Sequence, residues 1–496
     1  MIYDYVVIGA GVSGLTSAVT LAKNGYRVAL VEKSKKTGPL LRGFRRKGVF
    51  FDTGFHHTGG LGEGGILETY FRYLGIFDRI EKKSYDPECS DIFRSLDPPF
   101  EFRWPTGYSR IQKGLHEAFP REKGAIDKYL DAIQQQCAAI PYLNLEADFG
   151  ALQVLQSVHG PSLKEVLDEL TDNDELKGVL STHCLLNGVS PEEQAFSDYA
   201  YIAGPYYDSI HRVNGGGSKI IEAFDHALSD NGVHVYSGQS TEEILFSSDG
   251  RLKGVRLKDE TILETKGSIC TIHPLDFLRI VPNSVFRPAY VKRLQNLQET
   301  PSAFILYGEY DSSSNRFCEA NIYQMLCPGL ISFNIGGAIE ERPFHITSAG
   351  YRNTESKEKG FIAICPASIE ETGQWIDSFT GRRPEDYQIF KQKLAGRMKR
   401  HIEACHEEFR GRIKIIDLST PLTIRDFANS PFGSLYGAKH RIEQYNPLPL
   451  TRVPNLFLAG QSIVAPGILG AIVSGMIVCG SIMGHEALRK ELKKCI

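Results

Sequence analysis

The chain opens on a strand, a glycine turn and a helix. Tyr3 to Ile8 is a short run of β-formers, Gly9-Ala-Gly11-Val-Ser-Gly14 follows at once, and Leu15, Ala18, Val19, Leu21 and Ala22 then recur with helical spacing. After a turn at Asn24-Gly25, Tyr26 to Val31 reads as a second strand ending in Glu32. Each part has a mechanical reason in a dinucleotide site. Gly9 makes the tight turn, Gly11 lets a pyrophosphate approach the backbone, and Gly14 lets helix and strand pack closely. The first turn of the helix, Ser13 included, offers free N–H groups to phosphate. An acid at the end of the second strand accepts hydrogen bonds from the ribose hydroxyls. Glu32-Lys33 at this position is compatible with FAD or NAD.

Composition narrows the class further. Across 496 residues, 56 Lys and Arg stand against 59 Asp and Glu, a net charge of −3 that points to no nucleic-acid partner. With 42% apolar and 10% aromatic residues the chain can bury the cores of two or more lobes. Ten scattered cysteines without a Cys-x-x-Cys pair, and a start lacking the basic and apolar regions of a secretory signal, predict a reducing, cytoplasmic setting. Val453 to Gly484 carries no charge and is long enough to span a bilayer. Pro454, Asn455, Gln461, Ser462, Pro466 and repeated glycines interrupt it, so it reads as a buried strand, a glycine-rich turn and a buried helix.

Three later segments join the N-terminal fingerprint: Phe51-Asp-Thr-Gly54-Phe-His56-His57; Thr420-Pro-Leu-Thr-Ile-Arg425-Asp-Phe with Gly433-Ser-Leu-Tyr436-Gly437; and Leu456-Phe-Leu-Ala-Gly460-Gln461, followed by Gly467-Ile468-Leu469-Gly470 and Gly475. Together, and in this order, they resemble the FAD-dependent amine-oxidase-like superfamily. Within it they look most like the phytoene desaturase, carotenoid isomerase and retinol saturase group, above all the retinol saturase branch and its bacterial relatives.

The resemblance implies an α/β fold with a Rossmann-like FAD-binding domain in three pieces, 1–66, 204–286 and 416–496. A helical insertion, 67–203, and an α+β substrate domain, 287–415, complete it. It implies FAD with its pyrophosphate on Gly9, Gly11, Ser13 and Gly14 and its ribose on Glu32. Lys33, Arg42 and Gly54 would also serve the cofactor, Glu242 would sit near the adenine, and Gly460, Gln461, Gly467, Ile468 and Leu469 would close the site. The last helix would aim its positive end at the flavin. Two positions depart from the pattern. Gly38-Pro39 replaces paired glycines, removing a backbone donor, and Arg42 stands where the retinol saturase pattern shows histidine.

Other residues are weighed on their own chemistry. His56 and His57 follow the strand Val49 to Asp52 and are candidate catalytic groups, placed to orient a substrate or transfer a proton. Tyr436 is a candidate for the substrate pocket. Gly60-Leu-Gly62-Glu-Gly64-Gly65 matches a second dinucleotide pattern but follows no strand, so it reads as a loop. Gly215-Gly-Gly-Ser-Lys219 reads as a helix entry. His401 and Cys405 are four apart on a helix, yet no second pair completes a metal site, so no metal is expected.

The expected function is an FAD oxidoreductase acting on carbon–carbon double bonds of a lipophilic, polyene-like molecule, by saturation, desaturation or isomerisation. Rival readings are an amine-oxidase-type enzyme on a polar amine and a non-catalytic flavin- or lipid-binding protein. No second nicotinamide-binding domain is legible, so a reductase would draw electrons from transiently bound NAD(P)H or another carrier. An apolar substrate predicts peripheral contact with the inner face of a membrane through an apolar face of the helical insertion.

Overall fold

A computed structural model of the chain describes residues 2–148, 160–311, 320–351 and 358–496. Tyr3–Ile8 (β1) and Val28–Glu32 (β2) are apolar on both faces. Val7 and Leu30 enter one core with Leu15, Val19, Phe224 and Met476, while Val6, Ile8, Ala29 and Val31 enter a second with Val255, Leu257, Phe277 and Leu458. A parallel sheet covered on both sides demands this pattern. The strand order is His234–Ser237, β2, β1, Ile262–Cys270, Leu252–Leu257, Thr241–Phe246. Ile262–Cys270 forks. Its first residues pair antiparallel with Leu252–Leu257, and its last pair parallel with both β1 and Leu456–Leu458.

Helix α1 (Val12–Lys23) and the helix Gly467–Met483 lie together on this sheet. A Cβ on Gly475 would stand 2.9 Å from the Ser13 carbonyl oxygen, so glycine permits the approach. The charge-free stretch from Val453 is thus strand, turn and helix. Among the described residues no helix is long and apolar enough to cross a membrane.

A second seven-stranded sheet runs Ile413–Ser419, Ser302–Asp311, Glu358–Ala367, Phe344–Tyr351, Asn321–Met325, Asp91–Leu96, Pro99–Trp104. The two-residue period of a strand sorts its faces. Phe304 and Leu306 pack on the helix Glu385–Cys405 through Leu394, Met398 and Ile402. Ala303, Ile305 and Tyr307 face the other way, onto Val49 and Phe51 of the hairpin Phe44–Arg46/Val49–Phe51.

The sheet corrects the expected boundaries in two places. Asp91–Leu96 and Pro99–Trp104, assigned above to a helical insertion, are strands of this sheet, and Asp91–Leu96 pairs parallel with Asn321–Met325. Ile413–Ser419, an edge strand, crosses the 415/416 limit. The helices Tyr108–Ala118, Lys123–Ala138, Leu163–Leu170 and Phe196–Asp208 share one core with Phe93, Phe102 and Trp104, so helices and sheet form one unit. A capping box opens Leu163–Leu170: Ser162 Oγ accepts the Glu165 N–H at 3.1 Å, and the Glu165 carboxylate accepts the Ser162 N–H at 2.7 Å.

Among the described residues of 67–203 no large apolar side chain is exposed, because the helices turn those faces into the shared core. Residues 149–159 of that segment lie outside the described residues. Exposed aromatic side chains occur elsewhere, at Phe379 (61% exposed), Phe427 (63%) and Phe432 (44%).

Candidate active site

One cavity of about 1300 Å³ runs from the glycine turn of the first sheet to the face of the second. That exceeds the roughly 300–1,000 Å³ of an ordinary ligand pocket. Its walls include Gly9, Gly11, Ser13 and Glu32 on one side, and Ile305, Tyr307 and Ile364 with Ile202 and Tyr206 on the other.

The three glycines do three different things. Gly9 has φ +99° and a Cβ there would stand 2.7 Å from Thr271 Oγ1. A Cβ on Gly14 would lie 1.9 Å from the Gly9 carbonyl oxygen; Gly14 packs the turn and does not line the cavity. A Cβ on Gly11 would meet nothing within 4 Å, because it would project into open space where a phosphate belongs. Gly11 is the N-cap of α1 with no side-chain cap, so the first N–H groups of the helix are left for a ligand. The Ser13 hydroxyl is not among them, since it donates to the Ala471 carbonyl at 2.7 Å and ties α1 to the last long helix.

Glu32 holds the other side of the turn, its Oε2 accepting the Ala10 N–H at 2.8 Å. Lys33, Gly54, Gly460, Gln461, Gly467, Ile468 and Leu469 all line the cavity, as does Tyr436. Arg42 lines it too, and its Nε and Nη2 are buried with no hydrogen-bond partner among the described residues. Burial pushes the Arg42 pKa down, opposed by the carboxylates of Asp225 and Glu32. A buried guanidinium waiting for an acceptor beside a phosphate cradle fits an anionic dinucleotide.

Glu242 is the exception. Its side chain is exposed, outside the cavity wall, and its carboxylate accepts from Ser240 Oγ at 2.7 Å. Thr241 lines the cavity instead. The strand pleat turns consecutive side chains to opposite faces, so an offset of one residue reverses the assignment.

His56 and His57 both line the cavity. His57 sits against Tyr206, Tyr85 and His345, with ring centroids at 5.6, 6.2 and 5.5 Å. His345 stacks on Tyr323 at 4.6 Å. Among the described residues His57 Nδ1 and His345 Nε2 are buried without hydrogen-bond partners. Burial, with Arg212 adding to it, lowers His56 to about 4, and burial followed by His345 holds His57 well below its ordinary value. His345 falls to about 3 for the same first reason. These rings are therefore neutral at neutral pH and can offer hydrogen bonds. Behind them Asp91 is held by Asn321 Nδ2 at 2.7 Å and Tyr206 OH at 3.2 Å.

Asp198, Gln194 and His345 also line this cavity, and no sequence motif singled them out. The Gly60–Gly65 stretch does follow a strand, the two-residue Thr58–Gly59, and is a loop leading from it into the helix Ile66–Leu74; Gly215 is the N-cap of Gly216–Asp230. His401 Nε2 lies 2.8 Å from Gln324 Nε2, and among the described residues no group of three metal-ligating side chains occurs.

Residues 12–483 match the family of flavin-containing amine oxidoreductases. The chain belongs to that family. FAD is accordingly its cofactor, and the Gly11 opening, the free end of α1 and the orphaned Arg42 suit it. The flavoprotein is 27% identical to the all-trans-retinol 13,14-reductase of Homo sapiens, over 99% of this chain and 87% of that one. It is 22% identical to the 4,4'-diapophytoene desaturase of Staphylococcus haemolyticus, over 92% and 93%. Among solved structures, an oxidoreductase from Methanosarcina mazei superposes with a TM-score of 0.66 at 15% identity, covering 96% of this chain and 99% of that one. At that identity the superposition speaks for the fold alone.

Proposed function

We propose that this flavoprotein reduces a carbon–carbon double bond of a lipophilic polyene. The observation that carries the reading is the single undivided cavity, in which the dinucleotide cradle opens directly onto an apolar wall of Leu143, Ile202, Ile305 and Ile364. Similarity to a retinol reductase and to a carotenoid-precursor desaturase supports a polyene substrate. Bound FAD supplies hydride transfer. The chain's own residues place the polyene, exclude water and manage the proton.

The test uses the purified holoprotein in oxygen-free buffer. Flavin reduced with NADPH or dithionite is mixed with all-trans-retinol, and the oxidised-flavin absorbance is followed while the product mass is measured. Return of the absorbance with a gain of two hydrogens supports the proposal. Reoxidation by simple amines' imine products, with polyenes inert, would move the protein to amine chemistry.

Access for such a substrate is supported by the rim of the cavity. Phe427 is exposed and lines the cavity, as do the exposed cations Lys33, Arg45 and Arg46. Phe379 lies beside them, with the Arg425 guanidinium over its ring at 5.0 Å. Exposed aromatic rings among cations suit the headgroup region of an anionic bilayer. The membrane contact is accordingly proposed at this rim.

A further inference from the structure

Among the described residues four carboxyl groups line the cavity, and three are engaged. Glu32 accepts the N–H groups of Ala10 and Ser34, Asp276 accepts from Arg279, and Asp417 pairs with Lys391 and Arg46. Asp198 is the fourth, and among the described residues no hydrogen bond or ion pair reaches it. It stands in the first turn of Phe196–Asp208, on the face that Ile202, Pro205 and Tyr206 also present to the cavity. Asp198 is partly buried and lines the cavity.

A partly buried carboxylate without a partner is unstable relative to its acid form. Burial alone raises Asp198 to about 7. No charged group offsets this from the neighbouring elements. Tyr129, Cys137 and Cys184 face Tyr199 and Ala200 on the far side of the helix. His183 and His57 pack on Tyr206. His440, from the segment bonded to Glu193 through the Ile442 N–H, gives its Nε2 to the Gln461 carbonyl at 2.7 Å.

The other candidates for a proton donor fail on position or chemistry. Asp52 is raised to about 7 as well, but it accepts the Gly217 N–H at 3.0 Å and lies off the cavity wall. His56, His57 and His345 are neutral rings at pH 7. Burial raises the Tyr436 phenol to about 12, so it holds its proton too tightly.

We propose that Asp198 is the proton donor to the double bond reduced in this cavity, an assignment that rests on the polyene reading above. With FAD bound, its reduced form would supply hydride to one alkene carbon. The π pair of the double bond forms the new C–H bond at the other carbon with the Asp198 proton. The carboxyl is left as carboxylate, and water reprotonates it between turnovers. A reduced nicotinamide would supply the two electrons.

Asp198→Asn keeps the shape and removes the exchangeable acid. The variant is expected to retain FAD absorbance and to bind all-trans-retinol, followed by its fluorescence, as the parent does. Anaerobic reoxidation of its reduced flavin by retinol should slow by at least about 100-fold. The parent rate should fall as pH rises through about 7, while the variant's residual rate stays flat. Infrared difference spectra should show a protonated-carboxyl carbonyl band in the parent at about pH 6, lost by about pH 8 and absent from the variant.

An unchanged variant rate with the parent's pH profile overturns the assignment. So does the absence of that infrared band. Binding of butylammonium that requires high pH and Asp198 would also overturn it, making the residue an amine anchor. A parent that reduces no polyene sinks the functional reading separately, and the infrared band then still decides whether Asp198 carries the proton.

Discussion

Glu32 Oε2 accepts the N–H of Ala10 at 2.8 Å, joining the end of β2 to the middle of the glycine turn. The other oxygen accepts the Ser34 N–H at 2.8 Å. One carboxylate therefore fixes the shape of the turn and presents its remaining lone pairs at the cavity wall.

Glu32→Gln puts an amide NH2 where one of these backbone donors expects an acceptor, at a cost of about 1–3 kcal/mol. FAD affinity should fall by about tenfold or more, measured from the fluorescence of released flavin. Undiminished retention would show that the carboxylate is dispensable to the turn.

Gly11 and Gly14 separate binding from folding. Gly11→Trp should give a folded, colourless protein, because the side chain enters open space meant for the pyrophosphate. Gly14→Ala should fail to fold or melt far below the parent, since its methyl would overlap the Gly9 carbonyl. Circular dichroism and the flavin spectrum distinguish the two outcomes, and a yellow, active Gly11→Trp protein would displace the phosphate site.

Arg42→Met removes a guanidinium whose Nε and Nη2 are buried without partners among the described residues. The FAD-free protein should melt higher than the parent, while FAD affinity drops by roughly 10–100-fold, as expected for a lost charged hydrogen bond. A loss of apo stability would show that Arg42 is satisfied without the cofactor.

His345 is held neutral down to about pH 3, against an ordinary value of 6.5. Below pH 6.5 the unfolded chain binds a proton that the folded one refuses, so this group costs stability as pH falls from 6.5 towards 3. The slope is up to about 1.4 kcal/mol per pH unit. His345→Gln should flatten the acid limb of a stability–pH curve by that amount, read by urea unfolding between about pH 6 and pH 4. An unaltered limb would mean that the ring protonates within the fold.

Phe379→Asp with Phe427→Asp should abolish co-flotation with anionic vesicles, because each buried phenyl contributes about 1.5–3 kcal/mol. Turnover of detergent-dispersed polyene should persist. Full flotation of the double variant would place the contact elsewhere.

The glycine turn, Glu32 and the last strand–turn–helix were legible because their chemistry is local, carried by residues within one βα unit. The Glu242 assignment failed by one position, since sequence shows a strand but not which edge of the pleat faces inward. Asp91–Leu96 was hidden for another reason: its neighbour in the sheet is Asn321–Met325, with Asp91 and Asn321 separated by 230 residues. Asp198 reads in sequence as an ordinary acid in the first turn of a helix, a placement that favours helix formation anywhere. Only its tertiary surroundings distinguish it.

The forked strand Ile262–Cys270 has a bearing on biosynthesis. The sheet that bears the cofactor's cradle is completed by Leu456–Leu458, the last strand in chain order among the described residues. Its α1 is braced by a helix emerging later still, Gly467–Met483. A nascent chain therefore carries the fingerprint of Gly9 to Glu32 yet holds an unfinished sheet until residues 456–458 have been made. Flavin loading is expected to wait for this strand and helix, and a chain cut before residue 456 should have no stable hold on the cofactor.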